Sequence, residues 1–224
     1  MGQKVNPVGM RVGINKNWNS RWFANKKDYS TFLIEDNKIR EYIESHIDRN
    51  AFLSHIEIER KKTNKGQHVT IMIFVARPGV VLGQEGATIK ALKKELVKLI
   101  HNEDVKVDVV DVKQPSLDAK IVSLQIAKQL EERASFRIVQ KKAISQVRKA
   151  GAKGCKTEVS GRLGGADIAR SEGYKDGIMS INTLKSDVDF AVSEAMTTYG
   201  KLGVKVWICR GEVETSPKGD KKGE

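Results

Sequence analysis

Three stretches carry residue types whose spacing could do chemistry, and in each the chemistry is capture of a polyanion. The first is "VVLGQEGATIK", residues 80–90, where Gly83 and Gly86 stand three apart ahead of a helical pattern. Gly-x-x-Gly at a helix start lets a backbone clamp a nucleic-acid strand. Between the glycines, however, lie Gln84 and Glu85, and a carboxylate repels phosphate. The second stretch is 133–149. At about 100° per residue, Arg133, Arg137, Lys141 and Arg148 fall within roughly an 80° sector, beside a face of Phe136, Val139, Ala143 and Val147. From 131 to 162 there are nine bases, Lys142, Lys149, Lys153, Lys156 and Arg162 among them, against Glu131, Glu132 and Glu158. A merely solvated face usually interleaves both signs, so this surface reads as phosphate-facing. The third is "EVSGRLGGADIARSEGYKDG", where Gly161, Gly164 and Gly165 surround Arg162 and Arg170 follows. Glycines there either let a bulky partner approach the backbone or form a tight bulged hairpin.

Catalysis finds no such support. No Gly-Lys-Ser/Thr phosphate loop is present. His46, His55, His68 and His101 lack metal-site spacing; His55 and His68 could face each other across a hairpin, but two ligands do not make a zinc site. Cys155 and Cys209 sit in strand patterns, where a buried inert thiol is the usual case. No cofactor or metal is expected.

These residues need elements to hold them. Residues 1 to about 30 hold Lys4, Arg11, Lys16, Arg21, Lys26 and Lys27 against Asp28, with Gly2, Pro7, Gly9 and Gly13 breaking regular structure. The stretch reads as an extended basic arm, or else a loose terminus; Trp18, Trp22 and Phe23 argue that its end packs on something. Ile39, Tyr42, Ile43 and Ile47 predict a helix, and "SHIEIER" and "HVTIMIFVARPG" predict a hairpin. Behind the glycine pair, Ile89, Leu92, Leu96, Leu99 and Ile100 predict a second helix, and "VKVDVVDV" a buried strand. Together they make a compact α+β unit with helices on one sheet face.

"KQPSLDAK" (113–120) marks a boundary, with Pro115-Ser116 as a helix entry. Two helices follow, the second stopping at Gly151. Then come strands in "CKTEVSG", "DIARSEGY", "MSINTLKSDVDF" and "VKVWICRG", with a short helical piece, "VSEAMTTY", before the last. The tail "TSPKGDKKGE" reads as disordered.

Composition agrees with the site reading. The chain has 224 residues, 39% hydrophobic and 30% charged, with net charge +12 and pI ≈ 9.6. Such a balance favours a polyanion: nucleic acid or an anionic membrane surface. The membrane reading is weak, because no apolar run approaches the roughly 18–20 residues a spanning helix needs. The first residues show no signal core, and Asn6 stands where a myristoylation signal has Ser or Thr. Two cysteines without a framework suit a reducing compartment, so a soluble cytoplasmic protein is expected.

"MGQKVNPVGMRVGI", "ARPGVVLGQEG", "EVSGRLGGADIAR" and "TTYGKLGVKVWICRGE" resemble the family of bacterial small-subunit ribosomal protein three, in order from residue 1 to about 212. "SGRLGGADIAR" is specific by itself. The resemblance implies a type II KH domain (17–113) and a second α/β domain (114–212), here with two helices and a mostly antiparallel sheet, between the extended basic arm (1–16) and the tail (213–224). It implies a non-enzymatic constituent of the small-subunit head that binds ribosomal RNA beside ribosomal proteins ten and fourteen. With proteins four and five it would line the path by which messenger RNA enters, helping to separate its base pairs. The family's message-facing bases fall on Arg137 and Lys141; a further position that is basic in some relatives is Ile138 here, with Arg133 and Arg148 able to compensate. Lys142 extends that surface; Lys4, Arg11, Arg162 and Arg170 would meet ribosomal RNA. Some relatives carry lysines between the KH glycines, so the loop Gly83, Gln84, Glu85, Gly86 is expected to lie beside RNA while other residues supply affinity. The competing readings are a free-standing KH regulator or chaperone, which would favour a basic glycine loop, and a nucleic-acid enzyme, which would need clustered carboxylates, a metal site or an activated lysine.

Overall fold

The computed structural model describes residues 4–63, 66–83, 86–100 and 104–213. The chain divides into two compact units, residues 18–115 and a second that joins the residues up to 17 to those from 116 onward.

The first unit runs β1 (Ser20–Arg21), α1 (Lys26–His46), β2 (Leu53–Thr63), β3 (Gly66–Val75), α2 (Pro78–Leu82), α3 (Ala87–Ile100) and β4 (Val105–Asp111). Its sheet has the order β1-β2-β3-β4, antiparallel between β2 and β3 and parallel in the outer pairs. Period-two alternation buries Ile56, Ile58, Ile71 and Ile73 on one face. Ile39 and Ile43 of α1 and Leu92, Leu96 and Ile100 of α3 close over them. The short α2 was not expected from the apolar "PGVVL"; Pro78 in its first turn is pre-set for a helix start. The hairpin register pairs Lys61 with His68 and His55 with Phe74, so the two histidines do not oppose each other. His55 instead stacks on the Phe74 ring at 4.3 Å. Of the expected aromatic cluster, Trp22 packs, donating its Nε1 hydrogen to Asp36 at 2.7 Å, whereas Trp18 and Phe23 are exposed. Asp36 also takes the buried Arg60 guanidinium at 2.6 Å.

The second unit contains α4 (Ala119–Glu131), α5 (Phe136–Lys149), β5 (Gly154–Gly161), β6 (Arg170–Gly177), β7 (Ser186–Thr197) and β8 (Gly200–Glu212). The sheet is antiparallel throughout in the order β6-β5-β8-β7. Both helices bury their apolar stripes on one face, Ile126 and Leu130 from α4 and Val139 and Val147 from α5 meeting Val159, Val204, Val206 and Ile208. The helix entry expected at Pro115 is a 3₁₀ turn, Pro115–Leu117. The α-helix starts behind Asp118, whose carboxylate accepts the Lys120 and Ile121 amides. The helix expected over "VSEAMTTY" is instead the outer half of β7. Ala191, Ser193 and Ala195 point inward opposite Val206, Val204 and Leu202. These small side chains admit α4 closely enough for the Ser123 and Ser193 hydroxyls to bond at 2.7 Å.

Residues 4–17 are folded onto this second unit rather than extended. A 3₁₀ turn at Gly9–Arg11 turns Arg11 inward until it is fully buried. Its Nε donates to Ser186 O at 2.6 Å, Nη1 to Pro7 O at 2.9 Å, and Nη2 to Ile181 O and Thr183 O at 2.8 Å each. Lys16 pairs with Asp187 at 3.0 Å. The tail from 214 onward lies outside the described residues.

Candidate nucleic-acid interface

Helix α5 owes its direction to its buried side: Val139, Gln140, Ala143, Ile144 and Val147. The opposite side presents Arg137, Ile138, Lys141, Lys142 and Arg148, all exposed. The helix runs beside β6, one of the two edge strands of its sheet, in three rungs. Arg137 Nε lies 3.5 Å from a Glu172 carboxylate oxygen, Lys141 Nζ lies 5.5 Å over the Tyr174 ring, and Arg148 Nε lies 3.3 Å from Asp176. Glu172 also accepts from Arg170 Nε at 2.9 Å, which brings Arg137 and Arg170 onto one carboxylate. The Arg170 hydrogen bond, with further help from Arg137, holds the Glu172 carboxyl below the usual glutamate range. Lys141 and Lys142 have no acidic partner among the described residues. Such charges remain available to a polyanion, where each phosphate contact adds to affinity and to its salt dependence.

Three expected contact residues sit differently. Arg133 lies before α5 and not on it: with φ 63° it ends α4. Its amide bonds to Leu130 O and the Ala134 amide to Gln129 O, the pattern of a left-handed helix stop usually filled by glycine. Arg148 is a clip, donating from Nη1 to both Ala152 O and Lys153 O at 2.7 Å. Arg162 organises the glycine turn: Nε donates to Ala166 O at 2.9 Å, and the guanidinium lies 5.8 Å over the Tyr199 ring. Gly165 has an intramolecular reason to be glycine, since a Cβ there would meet the Tyr199 ring at 3.1 Å with φ +83°. Arg11, expected at RNA, is a fourth that sits differently, fully buried. Its guanidinium is buried and bonded to carbonyls, so no fork remains for phosphate. Lys4 is exposed.

At the Gly-x-x-Gly loop, Gln84 and Glu85 lie outside the described residues. The flanking glycines have φ of +67° at Gly83 and +73° at Gly86, and a Cβ on Gly83 would fall 2.3 Å from Thr88 Oγ1. Lys90, Lys93 and Lys94 are exposed on α3 behind them. Among the described residues, no group of three or more His, Cys, Asp or Glu could hold a metal, and no helix is long and apolar enough to cross a membrane. Burial, with the Asp176 charge adding to it, pushes the Cys155 thiol up to about 12, which keeps it protonated and unreactive.

Strand β6 is a partner of α5 that sequence patterning leaves unmarked: Glu172, Tyr174 and Asp176 all reach toward the helix. The available signal, their period-two spacing in "RSEGYKD", marks a shared strand face and not the helix it meets.

An αββααβ unit with Gly-x-x-Gly between its paired helices, joined to a unit with a basic helix, defines an RNA-binding protein of KH type. A KH domain family model matches residues 38–117, and one described as ribosomal protein S3, C-terminal domain, matches 126–208. The chain is 53% identical to "Small ribosomal subunit protein uS3" of Bacillus cytotoxicus, covering 97% of this chain and 96% of that one. It is 52% identical to the proteins of the same name from Enterococcus faecalis and Halalkalibacterium halodurans, covering 100% of this chain and 99% of each. The chain belongs to this uS3 family of small-subunit ribosomal proteins, which are not enzymes.

Proposed function

We propose that this chain binds ribosomal RNA in the head of the small subunit, in the cytoplasm, and lines the path by which messenger RNA enters, with the exposed side of α5 turned to the message. The carrying observation is the α5 surface: Arg137, Lys141 and Lys142 project from a helix fixed by its buried side, and both lysines lack acidic partners among the described residues. A rigid positive surface holds separated strands by their phosphates without reading their sequence, which suits a site that meets every message. The family resemblance supports ribosomal proteins ten and fourteen as neighbours and four and five as companions around the message.

The test is translation by ribosomes carrying Arg137→Ala with Lys141→Ala. The expected result is severalfold slower passage through hairpin-containing messages, with little change on unstructured ones. Equal slowing on both overturns a role in strand separation.

A further inference from the structure

The least explained feature of the α5 surface is the acid at its first rung, Glu172 of β6. Glu172 is less exposed than either arginine it joins: its side chain is 24% accessible, against 61% for Arg137 and 49% for Arg170. Both arginines reach it through Nε. Their terminal nitrogens make no hydrogen bond among the described residues. The Arg137 guanidinium rests 5.4 Å over the Phe136 ring, which limits its freedom. Two guanidiniums, one from the helix and one from the strand, therefore meet one carboxylate, Arg137 at Oε2 and Arg170 at Oε1, and both side chains remain exposed to solvent. Planar forks converging this way match a phosphate as well as a carboxylate.

We propose that Glu172 is a built-in stand-in for an RNA phosphate: Arg137 and Arg170 form one phosphate site, and the strand docks by taking the position the carboxylate now holds. The arrangement keeps both arginines aimed when no RNA is present and weakens indiscriminate binding, because each docking event must break an internal pair. Exposed ion pairs are weak, so a strand held by neighbouring contacts displaces this one readily. A phosphate far from such neighbours does not. The inference rests on the reading of α5 as an RNA face.

The experiment measures binding of a labelled oligouridylate to the purified full chain at low salt. Glu172→Gln preserves side-chain shape and removes the charge. It is expected to raise affinity by about three- to fivefold, the size of one exposed pair. In an Arg137→Ala Arg170→Ala background the same change is expected to do nothing. Glu158→Gln, an identical charge change on the neighbouring strand β5, where Glu158 pairs with Lys156 at 3.3 Å, is expected to have no comparable effect. No gain, a loss, an equal gain in both backgrounds, or an equal gain from Glu158→Gln each overturns the proposal. Unaltered binding by Lys141→Ala Lys142→Ala would instead overturn the RNA-face reading itself.

Discussion

Residues 4–17 and helix α5 look alike as charge and behave as opposites. Both are basic stretches that a net charge of +12 invites one to assign to RNA. In the first, Arg11 is fully buried and bonded to four carbonyls, while Lys16 is paired with Asp187. In the second, Arg137, Lys141 and Lys142 are exposed on a helix whose other side is fixed. Positive charge is thus placed in two ways, as internal staple and as exposed surface. Arg148 and Arg162 belong with the staples although they lie in or near the basic surface. The guanidinium makes this possible, since its planar set of donors satisfies several carbonyls at once, which a lysine does less well.

The sharpest way to break this comparison is Arg11→Ala. Removing the donors leaves buried carbonyls without partners, and hydrogen bonds to a charged group contribute about 1.5–3 kcal/mol each. The expected loss is about 3 kcal/mol or more in urea unfolding, with RNA affinity of the folded chain little changed. A stable variant with weakened RNA binding would place Arg11 with the contacts instead. A smaller effect separates the two uses at Arg133, which holds a left-handed conformation that disfavours a side chain by roughly 1–2 kcal/mol. Arg133→Gly is expected to stabilise the chain by about 0.5–1 kcal/mol, after glycine's own entropy is set against the relief. Calorimetric melting reads this directly, and a fall in melting temperature contradicts it.

The sequence showed the inward half of α5 and the hairpin of the first unit because both are periodic patterns that burial enforces. It did not show where bases point. Arg133 sits in phase with Arg137 and Lys141 on a helical wheel, and no glycine or proline announces the stop between Glu131 and Phe136. The run around Ala195 and Met196 holds good helix formers, yet register with β8 and the close approach of α4 made it a strand. Tertiary context overrode propensity there. Arg11 was opaque for a different reason: three of its four carbonyl partners, Ile181, Thr183 and Ser186, lie 170, 172 and 175 residues away in sequence, at and just before the start of β7. The residues that match the family motifs were legible through the resemblance, not through spacing. Glu172 was invisible until β6 was seen beside α5.

The most direct test of the central claim is the salt dependence of RNA binding in two variants of the same helix. Lys141→Ala Lys142→Ala removes two outward charges without protein acids and is expected to flatten the slope of log K against log salt by about 0.7 per lost phosphate contact on single strands, with stability within about 0.5 kcal/mol of the parent. Arg148→Ala removes a staple and is expected to lower stability while leaving the slope unchanged. If Arg148→Ala flattens the slope and the lysine pair does not, exposure and partnering do not decide which bases hold RNA, and the account is wrong.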